Sequence, residues 1–336
     1  MPFPADKIAA PFPWYGGKVM QAAEVWQRFG QVGNYVEPFA GSLGVLLNRP
    51  LPFRGVETVN DLHGHLVNFW RAVKHSPGAL VDALDYPATS LDLWARHDAL
   101  LAMNHVDALK ADPKWHDVES AAWWCWGLCL WIGSGWCAVP KVQRIHAANA
   151  GMGIHRATAP QQRVATSDAD RASSGRCLDA THQRHVIESW ITTLSERMRR
   201  VRVLCGDWSQ SVQRGVMRWA SVKAVYFDPP YTHRAKRDTG LYGYTESATV
   251  ADDVRAWCAE NGDNPSLRIA LAGYEGEHED LQGLGWSVEA WKPHGHGYAA
   301  QASKAEQGKA NVRRERVWYS PHCLRRVEQA AQGLLL

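Results

Sequence analysis

The chain has no run of 18 uninterrupted apolar residues, which excludes a helix long enough to cross a bilayer core. Its start, Met1 to Ala10, carries Asp6 and Lys7 and no apolar signal core, so a soluble, cytoplasmic protein is expected. It has only seven cysteines in 336 residues, an odd number and too sparse for a disulfide scaffold, so most are expected to be reduced. Cys125, Cys129, Cys137 and His146 could be assembled into a zinc site, but Cys125-Trp-Gly-Leu-Cys129 lies in an apolar helical stretch. Thiols in such surroundings act as small hydrophobes, and no metal is expected. A complete G-x-G-x-x-G is also missing, which argues against a dinucleotide cofactor. What is present, 46% hydrophobic and 21% charged residues, suffices for a sizeable core in one or two domains.

The net charge is only +3, but it is unevenly placed. Between Lys141 and Arg202 eleven Lys and Arg stand against five acids, a local net of +6. Lys141, Arg144, Arg156, Arg197, Arg199 and Arg200 in this window are candidate phosphate-facing residues. A solvated loop kept soluble by arginines is the simpler alternative.

Along the chain, the first 75 residues alternate between strand and helix. Val19 to Phe29 has helical spacing, Tyr35-Val36 leads into Glu37-Pro38-Phe39, and Gly41-Ser42-Leu43-Gly44 opens a short apolar helix. Gly55 to Val59 reads as a strand and Leu66 to Val73 as a helix, so a parallel sheet is expected. From 76 to 195 that grammar is lost. Helices are expected over Ala79 to Leu84 and Leu91 to Leu109, followed by the tryptophan-rich run Ala121 to Trp131 and a polar stretch from Ser134 to Arg176. Four tryptophans within nine residues could stack on bases, but their helical spacing favours a core. After 196 the sheet grammar returns: strands Val201 to Cys205, Val222 to Phe227, Leu267 to Ala272, Trp286 to Trp291 and Arg316 to Tyr319, and helices Val212 to Trp219, Val250 to Ala259 and Glu277 to Leu281. The expected organisation is a discontinuous catalytic domain, 1–75 and 196–320, with an insert at 76–195 and a tail at 321–336.

Asp228-Pro229-Pro230-Tyr231 directly follows the apolar run Val222 to Phe227. A carboxylate and a ring at the mouth of a buried strand can grip an exocyclic amino group and stack on the base that carries it. A strand ending in a plain proline turn is the alternative. Glu37 to Gly44, Asn60-Asp61 and Gly206-Asp207 stand at other expected strand ends, and in open parallel sheets ligands bind beyond those ends. The glycines after the first strand let backbone approach a ligand, and an acid ending the second suits ribose hydroxyls.

The ordered series Trp14-Tyr15-Gly16-Gly17-Lys18, Val36-Glu37-Pro38-Phe39-Ala40-Gly41-Ser42, Asn60-Asp61, Gly206-Asp207 and Asp228-Pro229-Pro230-Tyr231 resembles the Dam-type (D12 class) DNA adenine-N6 methyltransferases. The resemblance covers roughly 11–75 and 196–320. It implies an α/β fold: a Rossmann-like methyltransferase sheet with a mostly helical or irregular target-recognition insert. It also implies S-adenosylmethionine as cofactor and double-stranded DNA as partner. Carried over, it places Trp14 and Lys18 at the cofactor, with Lys18 a partner for its carboxylate. Glu37, Pro38, Phe39 and Gly41 would line the methionine and adenosine, Asp61 would take the ribose hydroxyls, Asp207 the cofactor's adenine amino group, and Asp228 would lie between cofactor and target. Tyr231 would stack on a flipped base, and Tyr244 is a candidate second stacking face. One departure stands out: the family often reads Phe-x-Gly-x-Gly, and here Leu43 occupies the second glycine's place, followed by Gly44.

The motif grips an amino group without naming its base, so a cytosine-N4 or an RNA adenine-N6 enzyme shares the chemistry. A DNA-binding module with a decayed active site is the alternative from a different class. The stand-alone make-up suggests an orphan enzyme of phage or prophage type.

Overall fold

The computed structural model describes residues 7–14, 16–86, 90–131, 136–137, 180–218, 220–230, 249–290 and 314–325. Seven strands form a sheet of order β3-β2-β1-β4-β5-β7-β6: β1 (Asn34–Glu37), β2 (Val56–Asp61), β3 (Val201–Cys205), β4 (Lys223–Phe227), β5 (Leu267–Tyr274), β6 (Ser287–Ala290) and β7 (Glu315–Tyr319). The first five pair in parallel, with Val36 opposite both Thr58 and Val225. β7 runs antiparallel to both of its neighbours, β5 and β6. The central strands are continuous apolar runs because helices cover both faces: Val225 to Phe227 and Ile269 to Ala272 are wholly buried. The strand order reverses between β1 and β4, and such a switch point is where open sheets leave room for a ligand.

The helices are α1 (Ala22–Phe29), α2 (Gly44–Leu47), α3 (Gly64–His75), α4 (Pro77–Leu84), α5 (Ser90–Ala102), α6 (Val106–Ala111), α7 (Val118–Leu130), α8 (Ala180–Met198), α9 (Trp208–Ser211) and α10 (Val250–Asn261), with a 3-10 helix at Glu279–Leu284. One face of α3, with Leu66, Phe69, Trp70 and Val73, is buried. Trp124 of α7 packs edge-on against Phe12, 5.1 Å between ring centres. Asn68 and Asp117 exchange two hydrogen bonds that lock α7 to α3, Asn68 Nδ2 to Asp117 O at 2.9 Å and Asp117 N to Asn68 Oδ1 at 2.7 Å. Trp124 and Trp126 are fully buried, in keeping with their helical spacing.

Three elements differ from expectation. The helix expected over 91–109 is two helices, parted at 103–105, where Asn104 Oδ1 accepts the Val106 N–H. The stretch expected to be helical over 212–219 is a series of turns in its described part. Its carbonyls at Val216 and Arg218 are drawn instead to the Asn34 side-chain amide at the foot of β1, each at 3.1 Å. Helix α8 was not anticipated, and it spans the boundary expected at 195/196. Its buried Ile187, Ile191, Leu194 and Met198 recur at helical spacing, so the segment before β3 shares the sheet's own core.

Candidate active site

The carboxyl ends of β1, β2 and β4 bring Glu37, Asp61 and Asp228 to one edge of the sheet, on either side of the switch point. Asn60 ties these ends together, its Nδ2 donating to Pro38 O at 3.1 Å and Gly206 O at 2.9 Å. The sequence reading gave this role to neither Asn60 nor any other residue. An amide beside the acid that ends a buried strand was the available signal.

Asp61 is buried and accepts the backbone N–H of Gly41 at 3.1 Å and of His63 at 2.9 Å. Burial pushes its carboxyl up to about 6, while those backbone donors pull it down. Gly41 has a φ of 47°, and a Cβ there would come within 2.6 Å of Trp14 Nε1. Both backbone conformation and space therefore require glycine. Trp70 Nε1 donates to the Gly41 carbonyl at 3.1 Å, fixing the loop from the helix side.

Leu43 adopts the left-handed conformation, φ 55° and ψ 29°, and is fully buried. The place where the resemblance leads one to expect glycine thus has a glycine-like backbone carrying a side chain that packs into the core. Gly44, which follows, packs on the N-terminal segment: a Cβ there would lie 2.7 Å from Val19 N. Its smallness seats Lys18.

Lys18 is buried, and its Nζ lies 3.1 Å from Asp228 Oδ2, 2.7 Å from Gly16 O and 3.9 Å from Glu315 Oε2. The ammonium expected to meet the cofactor's carboxylate is thus also the counter-charge of the motif's acid. Pro229 is buried and Pro230 half-buried. Tyr231 and Tyr244, and likewise Lys141, Arg144 and Arg156, lie outside the described residues.

Glu37 is buried with Oε2 lacking a hydrogen-bond partner among the described residues. Burial holds its carboxyl well above the usual carboxylate range, and a backbone hydrogen bond from Leu46 opposes this. A buried acceptor without a donor is costly, and here it fits a ligand that brings N–H groups and positive charge. Phe39 stacks on Trp208 with ring centres 6.5 Å apart, giving the same edge an apolar wall. Asp207 is exposed and caps α9, accepting Ser209 N at 2.9 Å.

Of the arginines expected to face phosphate, the described ones, Arg197, Arg199 and Arg200, are not brought to this edge. Arg197 is a packing residue: its guanidinium binds Glu57 Oε2 at 2.7 Å, Glu57 Oε1 at 2.9 Å and Leu46 O at 2.6 Å. Arg49 holds the same Glu57 at 3.1 Å. Three of the five N–H donors of Arg197 are committed to a buried acid and a carbonyl, and only 9% of the side chain is exposed, which leaves little of it to reach phosphate. Arg199 and Arg200 are exposed, but they stand at the start of β3, the opposite edge of the sheet from Asp228.

Among the described residues no helix is long and apolar enough to cross a membrane, and no group of three His, Cys, Asp or Glu could hold a metal ion. A comparison with curated proteins finds no match. The family model of the D12 class N6 adenine-specific DNA methyltransferase matches residues 14–143, a stretch that contains Lys18, the Glu37 to Gly44 loop and Asp61 of the site described above.

Proposed function

We propose that the chain transfers a methyl group from S-adenosylmethionine to the N6 amino group of an adenine that has been rotated out of double-stranded DNA. The observation that carries this reading is the convergence of Glu37, Gly41, Asp61 and the Lys18–Asp228 pair on one edge of the sheet at its switch point. The donor set suits the cofactor. Glu37 offers a buried acceptor to its cationic amino acid end, Asp61 offers carboxylate oxygens to ribose hydroxyls, and Phe39 with Trp208 offers an apolar wall. When bound, S-adenosylmethionine supplies a methyl group made electrophilic by a sulfonium.

The chain's own residues deal with the nucleophile. An aromatic amino nitrogen is a poor nucleophile because its lone pair is delocalised into the ring. The Asp228 carboxylate and the Pro229 carbonyl accept its two N–H groups and favour a tetrahedral nitrogen, which localises the lone pair. Two consecutive prolines fix the backbone so that this carbonyl needs no reorganisation. Tyr231 stacks on the base. Rotating the base out of the duplex costs a few kcal/mol, which phosphate contacts from the basic segment around Lys141, Arg144 and Arg156 would offset.

Incubating the protein with DNA and S-adenosylmethionine, then digesting the DNA to nucleosides, tests the reading. N6-methyladenine is expected, and N4-methylcytosine alone would replace adenine by cytosine as the target.

A further inference from the structure

Glu315 is a buried acid with no role in the site described so far. It opens β7, and because β7 runs antiparallel to β5, its first residue lies opposite Tyr274, the last residue of β5. An antiparallel strand thereby delivers its start to the edge where the parallel strands end. The Glu315 side chain is buried there, and its Oε2 has no hydrogen-bond partner among the described residues. It lies 3.9 Å from Lys18 Nζ, against 3.1 Å for Asp228 Oδ2. By inverse distance, the pull of Glu315 on the ammonium is about four-fifths that of Asp228 at equal dielectric. Lys18 is therefore shared between two acids.

Resting on the methyl-transfer reading above, we propose that Glu315 is a positioning residue: by sharing Lys18 with Asp228 it keeps the ammonium from fully capturing that carboxylate, which stays available to the target amino group. A buried carboxylate oxygen without a hydrogen-bond partner among the described residues is otherwise an unexplained cost. Burial raises the Glu315 carboxyl above its ordinary value and Lys18 draws it down, so the acid is retained beside a cation. Among the described residues, the ionisable groups packed around it are Lys18 from the N-terminal segment, Asp228 beyond β4 and Tyr274 on β5, with Glu37 on β1 acting on Asp228 in turn.

The test compares Glu315→Gln, which keeps the volume and removes the charge, with Glu315→Asp, which keeps the charge. In single-turnover methyl transfer, Glu315→Gln is expected to lose about tenfold, a change of about 1.4 kcal/mol in barrier. Glu315→Asp should stay within about threefold of wild type, and both should bind cofactor and DNA with nearly unchanged affinity. In the ligand-free chain, the Lys18 ε-carbon resonance should titrate at lower pH in Glu315→Gln, because one of two carboxylates that stabilise the ammonium is gone. A Glu315→Gln rate equal to wild type, equal losses in the two variants, or an unmoved Lys18 titration would each overturn the proposal. Should Glu315→Gln not fold, the acid-side step in the Lys18 resonance decides. A step that shifts between wild type and Glu315→Asp supports the proposal, and superimposable titrations overturn it. A wild-type chain that transfers no methyl group overturns the methyl-transfer reading itself and this proposal with it, whereas an active wild type beside an unaffected Glu315→Gln overturns this proposal alone.

Discussion

Lys18 Nζ and Asp228 Oδ2 lie 3.1 Å apart, so the N-terminal Gly-Gly-Lys segment supplies the counter-ion of an acid 210 positions later. Lys18 is nearly inaccessible, while the Asp228 side chain keeps 22% of its surface exposed. Removing Lys18 therefore takes an ammonium away from a partly hydrated carboxylate. Lys18→Met should cost about 2 kcal/mol in urea denaturation, less than the loss for a fully buried pair. In the Lys18→Met/Asp228→Asn double variant the part of that loss due to Asp228 should disappear, while the part due to Glu315, the other acid beside Lys18, should remain. Additive losses would contradict the pairing.

Leu43 reverses the usual order of two truncations. Alanine normally outranks glycine by roughly 0.5–1 kcal/mol in regular structure, but a left-handed backbone costs a non-glycine residue about 1–2 kcal/mol. Leu43→Ala loses a fully buried side chain and keeps that cost, whereas Leu43→Gly loses the side chain and is relieved of it. Both should be destabilised by thermal unfolding, with Leu43→Gly the more stable of the two. The opposite order would show that the loop is not held in this conformation.

Asp61 carries a pH signature. Its folded carboxyl sits at about 6, above the value near 4 of an unfolded aspartate. Between about pH 4 and about pH 6 the folded chain holds a proton that the unfolded chain has released, so stability falls as pH rises through this window. In the ligand-free chain this amounts to about 3 kcal/mol, from two pK units. Asp61→Asn should abolish that part of the slope, and equal slopes for the two proteins would contradict the burial of a titrating acid at this position.

The arginines near β3 separate into two kinds. Arg197→Met should destabilise the fold by about 3 kcal/mol, because buried Glu57 and the Leu46 carbonyl lose a partner. Arg199→Ala/Arg200→Ala should leave the salt dependence of DNA binding unchanged, since both residues stand at the edge of the sheet away from Asp228. Two lost phosphate contacts would instead flatten the log–log slope by about 1.8.

Much of this was legible in the sequence because apolar runs bounded by acids and glycines mark strands and their ends. Glu37, Asp61 and Asp228 fell at strand ends as expected. The basic window misled at Arg197 because charge counting cannot see a buried partner, and Glu57 lies 140 positions away. Helix α8 escaped notice although Ile187, Ile191, Leu194 and Met198 keep helical spacing, since its polar faces dominate the composition. Glu315 could not be found at all, because only the antiparallel course of β7 carries it to the site.

The most direct test of the central claim is nucleoside analysis of DNA treated with wild-type protein and with Asp228→Ala, each with S-adenosylmethionine. N6-methyladenine from the wild type and none from the variant is the expected result. N6-methyladenine at equal yield from both, or none from either, would contradict the assignment of Asp228 as the group that grips the target amino nitrogen.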